Sequence, residues 1–234
     1  MFKPVLALSL LFAAAGATAA DAVTDSMQAT YAPYRVALFA TNSHAQDQAR
    51  QAVAQARQGW QQLAAEYGAR PPVPYERDGE FASSLAQVSQ VYAKAAQEIE
   101  NNQLIAAHET LEQVREAMAQ LRRRNQVIVY SDHANAYHAQ MEQVLSDGEK
   151  MLAAPLGMQQ LTLQVGALDY LAGRLKSEAP ADYLKNEQFI ALYQAVDTSV
   201  ANLKSALLQQ DAARVKDALG KIKGAYAKLF IKFG

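Results

Sequence analysis

The sequence predicts an all-α protein built as a tandem repeat of two up-down four-helix bundles. Three observations lead to that reading. Apolar side chains recur every three or four residues over long stretches, which lays them along one face of a helix. Proline, glycine and asparagine interrupt those stretches where turns are needed. The chain also matches itself without gaps, in a register that pairs Tyr75 with Tyr183 and Phe81 with Phe189.

The elements follow in order. Met27, Tyr31, Leu38 and Phe39 predict a first helix that Pro33 either interrupts or begins. Ala49, Val53, Ala56, Trp60 and Leu63 form the stripe of the next, with Ser43 and Gln46 reading as a capping box at its start. Pro71, Pro72 and Pro74 impose a loop. Phe81, Leu85, Val88, Tyr92 and Ile99 predict a helix that stops at Asn101-Asn102. Leu104, Leu111, Val114, Met118 and Leu121 predict another, ending near Asn125. The following helix should begin at a Ser131-Asp132 cap and turn Ala134, Tyr137, Met141 and Val144 inward. Pro155 and Gly157 break the chain, and a stripe from Met158 through Leu161, Val165 and Leu168 to Leu175 resumes it. Pro180 marks one more loop. Phe189, Tyr193, Val196, Val200 and Leu203, then Val215, Leu219, Ile222, Tyr226 and Leu229, complete the set.

In the self-match Val88 meets Val196, Leu111 meets Leu219, Val114 meets Ile222 and Leu121 meets Leu229. Tyr75-Glu76-Arg77-Asp78 meets Tyr183-Leu184-Lys185-Asn186, each after a proline-bearing loop. This divides the chain into helical units at 21–126 and 127–234. A single elongated helical array is the alternative layout.

Residues 1–20 read as a signal peptide. Lys3 gives a positive start, Val5 to Ala15 are almost all apolar, and Ala17-Thr18-Ala19-Ala20 offers a cleavage site after Ala19 or Ala20. The expected location is therefore the periplasm, with about 214 residues after cleavage and no membrane anchor. With 0 cysteines, disulfides, thiolate metal sites and cysteine nucleophiles are excluded. A formal net charge of −1 gives no basic field for nucleic acid. Arg122-Arg123-Arg124 is read as a cluster of cations complementing a helix C-terminus.

Four histidines are present, and two occur in one local pattern, His108-x-x-x-Glu112 and His138-x-x-x-Glu142. That spacing puts imidazole and carboxylate on one helix face, within reach of a common ion. If the chain reverses near Gln126, a rise of about 1.5 Å per residue sets His108 level with Glu142 and Glu112 level with His138, to within about 3 Å. If the helix runs straight, the two histidines stand about 45 Å apart. Asn125 and the Ser131-Asp132 cap favour a break. His133, Asp132 and Met141 are reserve donors. A mixed His/carboxylate set suits a transition metal, iron, zinc or copper, and Met141 tilts toward copper. The bland alternative is a pair of solvated or interhelical hydrogen bonds at the bundle's edge. Ser131-Asp132-His133 is no catalytic triad, because consecutive helical residues point about 100° apart.

The segment Ala212-Ala213-Arg214-Val215-Lys216-Asp217-Ala218-Leu219 resembles a helix of the periplasmic four-helix cytochromes, in their soluble b-type form. Haem in that family implies axial Met and His on different helices or a Cys-x-x-Cys-His. Here Met118 or Met141 would have to pair with a histidine, so haem is not expected. The architecture is similar to imelysin-like periplasmic proteins, which pair two four-helix bundles and carry Gly-x-His-x-x-Glu for metal. This chain has His-x-x-x-Glu instead.

The expectation is a periplasmic binding protein holding a transition metal through His108, Glu112, His138 and Glu142 near the unit junction. The alternative is a metal-free structural or interaction module for another envelope protein. An enzyme is not expected, since no nucleophile or acid–base set stands out.

Overall fold

The computed structural model describes residues 21–234, and the expected signal peptide, residues 1–20, lies outside them. The described chain is all-helical, with nine helices: α1 (Ala22–Asn42), α2 (Gln46–Tyr67), α3 (Phe81–Glu100), α4 (Leu104–Arg124), α5 (Tyr130–Leu152), α6 (Gly157–Ser177), α7 (Ala181–Leu184), α8 (Glu187–Leu208) and α9 (Ala212–Phe233). A short 3₁₀ helix, Tyr75–Arg77, lies before α3. None of the described helices is long and apolar enough to cross a membrane.

The neighbours close on themselves twice. α1 packs on α2, α2 on α3, α3 on α4 and α4 back on α1, while α5 packs on α6, α6 on α8, α8 on α9 and α9 back on α5. α1 also runs along α9. The apolar stripes account for this order, since each buries its face against two partners. Trp60, Tyr92, Tyr34, Tyr31, Tyr137 and Phe189 are all buried in one continuous core. Trp60 donates its indole N–H to the Leu85 carbonyl at 2.9 Å, which lets a polar ring edge sit inside.

Two sets of contacts join α1 to α9. Tyr31 of α1 meets Phe230 of α9 at 6.4 Å between ring centres. The Arg35 guanidinium, 8% exposed, donates to the carbonyls of Ile231 (3.2 Å), Lys232 (3.2 Å) and Gly234. These are acceptors that the end of a helix leaves without partners. Glycine permits close approaches between helices at two positions. A Cβ at Gly148 would lie 2.9 Å from Leu219 Cδ1, and one at Gly59 would lie 2.7 Å from Thr30 Cγ2.

Three expectations about helix ends are corrected. α1 runs uninterrupted through Pro33; packing against α2, α4 and α9 outweighs the roughly 3 kcal/mol that an interior proline costs. Ser43 does not cap α2. It closes α1, donating its hydroxyl to the Phe39 carbonyl at 2.9 Å, while Gln46 reaches across to the Ile99 carbonyl at 2.7 Å. α5 starts at Tyr130, one residue before the expected cap. Asp132 sits inside its first turn and accepts from the Val129 N–H at 3.0 Å.

The segment after Pro180, expected as loop, holds the single turn α7. Tyr75 lies 5.4 Å from Phe81 and Tyr183 lies 5.5 Å from Phe189, ring centre to ring centre. Several turns hinge on a non-glycine residue in the left-handed region: His44, Asn102, Gln126, Leu156 and Gln210.

Candidate functional site

The site is built on the α4–α5 reversal. α4 ends at Arg124, Gln126 adopts φ 57°, and the Val127 N–H turns back to the Arg122 carbonyl at 3.0 Å. Arg122 lies in the last turn of α4 as expected, but it is buried. It is 1% exposed and its guanidinium grips the Asp132 carboxylate, with Nε at 3.1 Å from Oδ2. The pair staples the end of one helix to the first turn of the next.

This reversal places His108, Glu112, His138, Glu142 and Met141 around one cavity of about 290 Å³. Ala107, Leu111, Tyr137 and Met141 point into the core, so the adjacent histidines and glutamates fall at the edge of the packed face. Leu38 and Phe39 of α1, with Tyr226, Phe230 and Ile231 of α9, supply the apolar wall. The cavity therefore belongs to both halves.

Of the reserve donors Met141 lines the cavity, and the other two go elsewhere. Asp132 is occupied by Arg122 and by the Val129 N–H. His133 has Nε2 at 3.9 Å from Glu178 Oε2, and burial together with Arg174 lowers its pKa. His44 sits in the α1–α2 turn. Among the described residues, no three histidine, aspartate or glutamate side chains are grouped so as to hold a metal ion.

Cations meet both carboxylates. Arg115 contacts Glu112 one turn along α4, and Lys223 Nζ of α9 lies 2.9 Å from Glu142 Oε1. Arg115 was legible as an i,i+3 partner of Glu112. Lys223 was not, because nothing local ties it to α5.

The two imidazoles are fixed differently. His108 Nδ1 lies 3.1 Å from the Leu38 carbonyl and 3.2 Å from Thr41 Oγ1. A carbonyl only accepts, so Nδ1 carries the hydrogen and the Nε2 lone pair faces Glu112, whose Oε1 is 3.7 Å away. Burial lowers the His108 pKa, so the ring is neutral at pH 7. His138 stacks on Tyr226 at 5.5 Å, and burial lowers its pKa as well. Its Nε2 stands 3.5 Å from Glu142 Oε1. Hydrogen bonding from His138, reinforced by Lys223, holds the Glu142 carboxyl down to about 2. A neutral imidazole donating Nε2–H satisfies both directions.

Chemically, the site pairs an apolar, aromatic wall with a polar floor of two neutral imidazoles and two neutralised carboxylates. That composition suits binding of a small molecule or ion. Comparison with family models, curated proteins and solved structures finds no match for this chain.

Proposed function

We propose that this is an exported helical binding protein, made of two four-helix bundles from a duplicated unit, with its ligand held in the cavity where they meet. The observation that carries the reading is the convergence of two His/Glu pairs, distant in sequence, on one cavity with an aromatic wall. The duplication draws support from the matched Tyr75–Phe81 and Tyr183–Phe189 contacts. Asn102 and Gln210, equivalent in the same register, also share the left-handed conformation. Export rests on residues 1–20.

A transition-metal ion is the second reading, favoured by the His108 Nε2 lone pair aimed at Glu112. Iron, zinc or copper would suit the donors, provided Arg115 and Lys223 swing away from the carboxylates. Haem is not proposed. A metal-free module that docks on another envelope protein is the alternative to any ligand.

The test is native mass spectrometry and elemental analysis of protein purified from the producing cell's envelope, for wild type, His108→Ala and His138→Ala. A bound species in wild type, lost about tenfold in affinity in both variants, is the expected result. Metal at one equivalent selects the second reading. Wild-type protein that carries nothing, and whose unbound state matches both variants in every titration, would return the chain to the docking module.

A further inference from the structure

We propose that the cavity takes a monovalent organic cation, an ammonium on a small apolar or aromatic body, with its charge on Glu142 and its body against Tyr226 and Phe230. This rests on the cavity being the ligand site.

Four charged side chains line the cavity as two pairs, Arg115 with Glu112 and Lys223 with Glu142. Arg115 is 14% exposed and held beside its partner on the same helix. Glu142 is anchored by the His138 ring as well as by Lys223. Lys223 differs from all of these. Its side chain is 54% exposed, and a lysine can swing its ammonium into water on a flexible apolar stem without losing the charge. Half-exposed ion pairs of this kind add little stability, so their exchange costs little. Lys223 is the movable partner.

Its departure fixes the sign of the guest. What remains is an anchored carboxylate on Glu142 and, on His108, an Nε2 lone pair that can only accept while Nδ1 donates to Leu38. Tyr226 and Phe230 stand at the wall, their rings 5.6 Å apart. Carboxylate, lone pair and aromatic rings all attract a cation with N–H donors. An anion would meet two carboxylates and an acceptor, with Arg115 already engaged. Lys223 Nζ thus marks the position on Glu142 that the guest's ammonium would take. A divalent metal fits less well, since among the described residues no three histidine, aspartate or glutamate side chains are grouped to hold one.

The experiment is titration calorimetry with isosteric probes, phenethylammonium, phenethyl alcohol and hydrocinnamate, together with zinc ion. Phenethylammonium is expected to bind at least about tenfold more tightly than either organic isostere. Glu142→Gln should lose about tenfold of that affinity, whereas Lys223→Met, which removes the internal competitor, should gain about fivefold. Circular dichroism checks that both variants fold, and Lys223→Met alone still decides should Glu142→Gln fail. Hydrocinnamate binding as tightly as phenethylammonium, or no gain in Lys223→Met, overturns the inference while leaving the cavity as a site. Zinc binding that outcompetes phenethylammonium and vanishes in both His108→Ala and His138→Ala also overturns it, in favour of the metal. No binding by any probe, with wild type purified empty, removes the cavity reading itself.

Discussion

Asp132→Ala is expected to destabilise the protein by about 3–5 kcal/mol, because it strands a buried guanidinium. Arg122 is 1% exposed, and the structure gives it one carboxylate partner, Asp132. The same carboxylate closes the first turn of α5 through the Val129 N–H, so the substitution also removes a helix-start bond. Chemical denaturation measures the loss. The double variant Arg122→Met/Asp132→Ala should recover much of it, since an apolar side chain in that space leaves no charge unpaired. A single-variant loss below about 1 kcal/mol, the level of an exposed pair, would show that the staple contributes little. The outcome also separates two roles for Asp132: ligand binding at the cavity should persist in whatever fraction of Asp132→Ala stays folded.

Trp60→Ala should cost a comparable amount, about 3–5 kcal/mol, from lost burial and from the hole left between α2 and α3. The ring is fully buried and packs 6.5 Å from Tyr92, and its removal takes away the indole N–H donated to the Leu85 carbonyl, which keeps the Ser89 hydroxyl at 3.0 Å. For a chain of this size, that corresponds to a fall in melting temperature of about 6–20 °C. Trp60 lies far in sequence from α5–α9, yet the whole transition should move as one. The core is continuous across the halves, and Arg35 and the Tyr31–Phe230 contact tie α1 to α9. A calorimetric trace that splits into a shifted and an unshifted peak would mean that the halves unfold separately.

Much of this was legible in the chain, and the part that was not has a common cause. Helix faces follow from local spacing, so the stripes place Leu111, Tyr137 and Met141 inward, where the structure buries them. The reversal that joins the two pairs was one of two geometries the spacing allowed. It depends on a left-handed Gln126 and on a buried Arg122, and neither residue type announces that role. Pro33 misled because its local penalty is small beside the packing of a whole helix on three neighbours. Ser43 misled because one hydroxyl can serve the end of one helix as readily as the start of the next. Lys223, Tyr226 and Phe230 complete the cavity from a helix distant in sequence. No rule of spacing along a single helix reaches that far.

The distribution of glycines leaves room for engineering. The described turns put their left-handed geometry on Asn102, Gln126 and Gln210, among others, and none on glycine. Meanwhile Gly166, Gly173, Gly220 and Gly224 occupy helix interiors where an added methyl would meet no atom within 4 Å. Alanine at each would strengthen its helix by roughly 0.5–1 kcal/mol. All four lie outside the cavity lining. A toughened background is thus within reach, one in which even damaging substitutions around the cavity could be carried without melting the protein.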